Sequence, residues 1–454
     1  MENELTHSKL NMASMGFAKF LNEFIEMAFT AWCFYFYEQV LHLETFWVGI
    51  GYIIFALWNA VNDPLMGFLT NRPFKFTRKW GRRFPWIIIG GVPYVLSYTL
   101  IFTPPGSEPL ILFLWLIFST CLFDLFNSIF FINYVSLFPD KFRSVKERRT
   151  ATAVQTPIGI IGIAIGALLP PMIIDDTVPG SFMVQGVIMA MIGLVVIVLA
   201  IPGCREDRQT IDLYLDKERE KTPFFKLLKT ALSQKSFLVF IITYSLYRCL
   251  VISFQASIPY LVEFVLLEDE IIVTILSAGF LLGSLFTSPL WARLAHKSNN
   301  NKKAMLISAV ILIICTFVLA FINDWMIMFV GIMFWGIGLG GFWTMISPVL
   351  ADVIDEAVVT TQKRQEGIYN GFLQFFGRLG ILFQALSFSL IHIVTGFVEG
   401  SSTQGALAVF GIKLHFSVIP TIVMLIGALI FWKFYKLTPD KIKEHQERVI
   451  ELKL

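Results

Sequence analysis

Asn59, Asn62 and Asp63 stand together in WNAVNDPLMG, a segment embedded in an apolar run that opens FWVGIGYIIF. Spacings of three and four put all three on one face of a helix. The carboxylate among them can take up a proton or bind Na+. Either event changes the local charge by one unit, and in low dielectric one unit decides whether a basic partner is held or released. Other ionisable residues lie in comparably apolar surroundings: Glu23 and Glu26 one helical turn apart, Asp124, Arg248 and Arg378. An ionised group in hydrocarbon is costly unless it finds a partner or water, so each of these residues needs a reason.

The elements that must position them follow from composition. The chain has 454 residues, 56% hydrophobic and 15% aromatic with 45 Phe, and a mean hydropathy of +0.69, outside the range of soluble globular proteins. Long apolar stretches, in place of short alternating segments, call for membrane-spanning helices and not a β-barrel, since each helix must cross about 30 Å of hydrocarbon at about 1.5 Å per residue. The fold class expected is an all-α membrane protein with twelve transmembrane helices in two six-helix bundles. The first six spans are placed at 15–40, 45–70, 84–103, 110–138, 151–174 and 182–202. The second six are placed at 236–262, 271–295, 303–322, 325–350, 367–396 and 409–435. The N-terminal segment is polar and the first apolar run carries Glu23 and Glu26, unlike a cleavable signal.

Basic residues set the orientation, because loops rich in Lys and Arg stay on the cytoplasmic side. NRPFKFTRKWGRR at 71–83 holds six basic residues and no acid, and the loops at 139–150 and 292–303 hold five and four. The alternate loops hold none, so both termini are expected in the cytoplasm and the protein in the plasma membrane. All five cysteines fall in spans or at the cytoplasmic end of one, which argues against a disulfide framework.

The expected organisation is an N-terminal bundle at 1–203, a cytoplasmic linker at 204–235, a C-terminal bundle at 236–436 and a cytoplasmic tail at 437–454. Within the linker, PFFKLLKTAL alternates apolar residues and lysines at helical spacing, as a helix lying on a membrane surface would. D-P-L-x-x-x-L at 63–69 recurs as S-P-L-x-x-x-L at 288–294, in the second span of each half, as duplicated halves would give.

Depth sharpens the site. Arg248 and Arg378 fall near mid-membrane, whereas Lys413 is close enough to a helix end to extend its ammonium to the interface. Glu23 and Asp63 lie at similar depth on neighbouring spans of opposite direction. One reading is a cavity with carboxylates on one wall and guanidinium groups on the other, which describes a carrier. The other keeps Asp63 as a structural partner of a helix end or of Arg82 or Arg83, and Glu26 and Asp124 as structural pairs. The small-residue steps GIIGIAIGA and GIGLGG point to close helix packing.

WNAVNDPLMG followed by WGRRFPW, with ADVIDE and KRQEGIYNGFLQFFGRLG further on, resembles the glycoside-pentoside-hexuronide:cation symporters of the major facilitator superfamily. That branch includes melibiose permease and is related to the sodium-coupled lysolipid carriers of vertebrates. The resemblance implies a cation site at Asp63 with Asn62 beside it, and Asn59 where sodium-coupled members have a further aspartate. Arg378 falls where the family has a lysine near the cation. Phe131, Val135 and Thr156 take the places of the family's sugar-contacting residues, against a melibiose-like galactoside. Glu23, or Asn22, matches an acidic residue of the first helix. Asp124 has no counterpart and is assigned to a different pocket.

Together these observations imply a monomeric secondary transporter that couples a small organic solute, a sugar or glycoside, to H+ or Na+ by alternating access. The cation would sit at Asp63, Asn59 and Asn62, and the coupling cavity would involve Glu23, Glu26, Asp124, Arg248 and Arg378. Gly67, Arg82, Arg83, Asp352 and Asp355 would form a cytoplasmic gate. No cofactor, resident metal or nucleic acid is expected. The alternatives are a carrier of lysolipids or other amphiphiles and a transport-silent receptor. Catalysis has no visible chemistry: the six histidines, at 7, 42, 296, 392, 415 and 445, form no HExxH helix, and there is no nucleophile elbow or Walker A loop.

Overall fold

In the computed structural model the described residues, which are 6–70, 74, 77–142, 145–175, 178, 180–208, 211, 224–298, 300–362 and 366–451, form helices joined by turns and loops, with no strand among them. Parts of the basic loop at 71–83, most of the linker and residues 363–365 of the second signature lie outside them. The chain divides into two compact units, Met1–Lys221 with Val398–Ser401, and Thr222–Phe397 with Ser402–Leu454.

The first unit contains α1 (Lys9–Tyr35), α2 (Thr45–Thr70), the short α3 (Thr77–Trp80), α4 (Phe84–Ile101), α5 (Pro109–Lys141), α6 (Val145–Leu168) and α7 (Gly180–Cys204). Ser8 starts α1 by accepting the Asn11 backbone N–H at 3.2 Å. The second unit contains α8 (Phe224–Ser233), α9 (Lys235–Leu261), α10 (Ile271–Ser298), α11 (Asn301–Leu319), α12 (Trp325–Thr361), α13 (Glu366–Gly377), α14 (Leu379–Thr395), α15 (Ala406–Lys413), α16 (Ile419–Phe434) and α17 (Pro439–Glu451). Among the described residues, 11 helices or helix runs are long and apolar enough to cross a membrane. Helix α1 is not among them: its 27 residues include Lys19, Glu23 and Glu26.

Helix pairing repeats between the units. In the first, α1 packs on α6 and α7, α2 on α5, and α4 on α5 and α7. In span order these are the first with the fifth and sixth, the second with the fourth, and the third with the fourth and sixth. The second unit repeats the scheme: α9 packs on α14 and α16, α10 on α12, and α11 on α12 and α16. The first span of each unit also ends in a π-helical turn, Phe36–Val40 after α1 and Val262–Leu266 after α9. Glycines set the closest approaches. A Cβ at Gly162 or Gly166 would stand 2.5 Å from Phe20 O or 2.3 Å from Phe24 O, so α6 lies directly on the backbone of α1. Gly336 and Gly340 of α12 meet Phe280 and Ser284 of α10 in the same manner.

The structure corrects two boundaries. The eleventh span, expected as one helix over 367–396, breaks at Arg378, where tighter Arg378 N–H to Phe375 O and Ile381 N–H to Arg378 O bonds replace the α-helical ladder. Gly377 and Gly380 flank the break and let α9 approach: a Cβ on either would lie 3.1 Å from Tyr244 or 2.7 Å from Ile252. The tenth span, expected to end at 350, continues as α12 to Thr361 and carries Asp352 and Asp355 on its last turns.

Candidate functional site

Helix α5 presents lipid-type side chains outward and polar ones inward. Leu110, Leu114 and Phe118 are exposed, whereas Asp124, Asn127 and Ser128 are buried. Positions 124, 127 and 128 share one helical face, and that face meets α2. There the three residues singled out in WNAVNDPLMG find partners.

Asn59 Nδ2 donates to Asp124 Oδ1 at 2.6 Å, and Asn62 Nδ2 donates to Asp124 Oδ2 at 2.9 Å. Asn62 Nδ2 also reaches Ser128 Oγ at 2.9 Å, and Ser128 Oγ–H donates to Asp63 Oδ1 at 2.5 Å. Asp63 and Asp124 are therefore joined through one amide and one hydroxyl, and these links bound their oxygen separation at about 8 Å. Asn59, Asn62, Asp124 and Ser128 are all buried, and Asp63 is half-buried. On the far side of the same face, Asn127 Nδ2 donates to Glu26 Oε1 at 3.0 Å and brings α1 into the array.

The assignment of Asp124 to a separate pocket is thus overturned: it is the acceptor at the centre of the Asn59 and Asn62 amides. Spacing along one helix does not reveal how α5 is rotated towards α2. Asn127 and Ser128 were also missed, although their positions three and four residues beyond Asp124 placed them on its face.

The chemistry follows from donors and acceptors. A carboxylate accepts only, so both amides must turn their NH2 groups to Asp124, and their carbonyl oxygens point elsewhere. Among the described residues, buried Asn62 Oδ1 finds no hydrogen-bond partner, and neither does Asn127 Oδ1. Two carboxylates joined through a hydroxyl suit a proton or a hard cation, which prefers oxygen donors, and a turn of the Asn62 amide would bring its Oδ1 to the same place. With both acids ionised, their mutual repulsion at 8 Å is about 2 kcal/mol at an effective dielectric of 20. Uptake of one positive charge offsets that repulsion and leaves the two acids with a single net negative charge.

The other expected site residues fall as follows. Glu23 is half-buried on α1, within electrostatic reach of Tyr134 of α5. Tyr134 O–H in turn donates to Gln155 Oε1 of α6 at 3.1 Å. Arg248 and Arg378 belong to the second unit, where α14 passes so close to α9 that a Cβ on Gly380 would lie 2.8 Å from Arg248 O. Of the gate residues, Arg82 Nη2 donates to Asp140 Oδ2 at 2.7 Å and Arg83 Nη1 to Asn133 Oδ1 at 3.1 Å, both on α5. Glu206 accepts from the backbone N–H of Arg83 at 2.7 Å and of Phe84 at 3.1 Å. In the second unit Asn301 Nδ2 donates to Asp352 Oδ2 at 2.9 Å, and Asp355 is half-buried one turn further along α12. Gly67 has room among the described residues: a Cβ there would meet Ile132 at 4.0 Å and nothing nearer, so packing against them does not account for this glycine.

Similarity to known proteins agrees with the architecture. The chain is 24% identical to the sodium-dependent lysophosphatidylcholine symporter 1 of Gallus gallus, over 91% of this chain and 84% of the relative. It is 21% identical to the isoprimeverose transporter of Lactiplantibacillus pentosus, over 91% and 86%. It is 22% identical to the inner membrane symporter YicJ of Escherichia coli (strain K12), over 92% and 89%. The family described as MFS/sugar transport protein matches residues 14–439. Two units with the same helix pairing and a family match over nearly the whole length make this chain a member of the MFS/sugar transport protein family, a multi-pass membrane transporter of the major facilitator fold.

Proposed function

We propose that the protein is a cation-coupled symporter, carrying a small organic solute with H+ or Na+ by alternating access. The carrying observation is the array of half-buried Asp63 with buried Ser128, Asn62 and Asp124, in which two acids share one hydroxyl and one amide while Asn62 Oδ1 has no partner among the described residues. Asp63 and Asp124 supply the negative charge, Asn62 and Ser128 the neutral oxygens, and Asn59 holds Asp124 in place. Cation uptake converts a repelling pair into one that shares a positive charge and so favours a different helix arrangement. Arg248 and Arg378 are the basic groups of the coupling cavity, and Glu23 and Glu26 its further acids. Gly67, Arg82, Arg83, Asp352 and Asp355 govern the cytoplasmic gate. The protein works as a monomer in the plasma membrane with both termini in the cytoplasm, as a carrier and not an enzyme.

The solute we propose is a sugar or glycoside, in line with the isoprimeverose transporter among the relatives. A lysolipid is the second reading, favoured by the lysophosphatidylcholine symporters and by Phe131 and Val135 at positions where the resemblance implies polar sugar contacts. Uptake into proteoliposomes tests both: a labelled glycoside or a labelled lysolipid is offered with an imposed Na+ gradient, an imposed pH gradient, or neither. Accumulation of one solute under one gradient supports the symporter and names its partners. Equilibration of every solute without regard to either gradient contradicts it.

A further inference from the structure

Two histidines that the carboxylate array does not use meet inside the second unit. His392 lies on the last turn of α14, and His415 in a π-helical turn, Leu414–Val418, between α15 and α16. Their Nε2 atoms are 3.1 Å apart, and Ser257 Oγ of α9 is 2.8 Å from His415 Nδ1. All three side chains are fully buried. A π turn inserts an extra residue into a helix, a departure seen frequently at functional sites.

The proton positions follow from the partners. Ser257 donates its single hydroxyl proton to Ser253 O at 2.6 Å, so towards His415 its oxygen can only accept. His415 Nδ1 therefore carries a hydrogen, and in the neutral ring its Nε2 is bare. That atom accepts from His392 Nε2–H. The neutral array is a directional chain of hydrogen bonds: His392 to His415 to Ser257 to Ser253 O.

Such a chain takes one more proton. A single added proton makes one ring an imidazolium that still donates to its neutral neighbour, a charge-assisted bond. A second would set two N–H donors and two positive charges against each other at 3.1 Å, which the geometry forbids. Aromatic faces line the place where the charge would sit. Phe397 stacks on His392 at 4.2 Å, Phe388 lies 4.0 Å from His415, and Tyr260 is within 6.0 Å of both rings. Cations over aromatic faces are stabilised by the ring quadrupole.

Charged groups are sparse on the packed elements. Besides Tyr260, α9 offers Arg248 about three turns away and Glu263 in the turn that ends it. Beside the pair, α15 ends in Lys413, whose ammonium donates to Asn323 Oδ1. Helix α11 contributes Cys315 near its end, α16 has only Lys433 at its far end, and α14 has no ionisable side chain apart from His392.

We propose that His392, His415 and Ser257 form a one-proton binding site in the second unit, separate from the carboxylate array of the first. It gives the protein a titratable charge of its own among the helices of that unit. The inference does not depend on the symport reading, because it concerns proton binding alone.

The test is 15N solid-state NMR of the full-length protein, labelled at histidine and reconstituted in lipid bilayers, from pH 8 into acid. At pH 8 the expected spectrum shows His415 as the Nδ1–H tautomer and His392 as the Nε2–H tautomer. In acid it shows one imidazolium shared by the pair, assigned by its loss in His392→Gln and His415→Gln. Should either variant fail to fold, Ser257→Ala keeps both rings and removes the acceptor of the Nδ1 hydrogen, and is expected to move His415 to the other tautomer. Two neutral rings throughout the range, two separate imidazolium ions in acid, or a His415 tautomer indifferent to Ser257→Ala would each overturn the proposal.

Discussion

Moving the acid of the array from α5 to α2 tests whether Asn59 and Asp124 act as one unit. Asn59 Nδ2 and Asp124 Oδ1 are 2.6 Å apart, and both residues are buried. Asn59→Asp sets carboxylate against carboxylate. Even if the side chains retreat to about 4 Å, two unit charges repel by about 4 kcal/mol at an effective dielectric of 20. The lost hydrogen bond to a charged group adds about 1.5–3 kcal/mol. Asp124→Asn alone loses the two charge-assisted bonds from Asn59 and Asn62, a cost partly offset because no charge remains buried there. The double exchange again presents an amide to a carboxylate. The pair should therefore couple by about 3 kcal/mol or more, against about 0.5 kcal/mol for independent sites. Thermal unfolding of the purified protein, followed by tryptophan fluorescence, reads this directly: Asn59→Asp should fall by about 10 °C or more and the double variant should recover most of it. Acid should relieve the single variant, because one shared proton turns the clash into a hydrogen bond and stability then rises as pH falls. Additive single effects, or a deficit that deepens with falling pH, would refute the reasoning.

Further expectations come from the same geometry. Ser128→Ala removes the link between Asp63 and Asn62 and should cost about 1.5–3 kcal/mol, seen as a lowered unfolding midpoint and a weakened response to cation. Gly166→Val drives a branched side chain into Phe24 O of α1 and should cost about 1–3 kcal/mol, measured in the same assay, whereas Gly67→Ala meets open space and should leave stability within about 0.5 kcal/mol. Exchanging Arg82→Asp with Asp140→Arg should recover part of what Arg82→Asp alone loses, with Asp140 partly exposed and the coupling accordingly limited to about 1–2 kcal/mol. For topology, Lys79→Cys should react with an impermeant maleimide only after the membrane is opened, and Glu108→Cys on intact cells.

How much was legible in the sequence depended on distance along the chain. The helices could be read because bilayer thickness fixes their length, and Asn59, Asn62 and Asp63 could be assigned one face because helical periodicity is local. Asp124 could not be placed against them, since nothing in either helix's own sequence states the rotation of α5 towards α2. The break at Arg378 had a local signal in the flanking Gly377 and Gly380, but glycines are common in membrane helices without interrupting them. Asp352 and Asp355 lie on α12 beyond the span expected from hydropathy, because the helix does not stop where the apolar stretch does. His392 and His415 were noticed only as histidines that make no metal motif. Their meeting depends on helices α14 and α16 both packing on α9, and on a π turn that shifts the register at His415.

A cation site built around Asp63 can be tested without knowledge of the solute. The unfolding midpoint of the wild-type protein and of Asp63→Asn is measured with Na+ replacing K+ at constant ionic strength, and separately across pH. A cation present at about 100 times its dissociation constant stabilises the native state by about 2.7 kcal/mol. The account predicts that the wild type gains stability with Na+ or with falling pH and that Asp63→Asn loses that gain. Identical responses of the two proteins to both cations would contradict it.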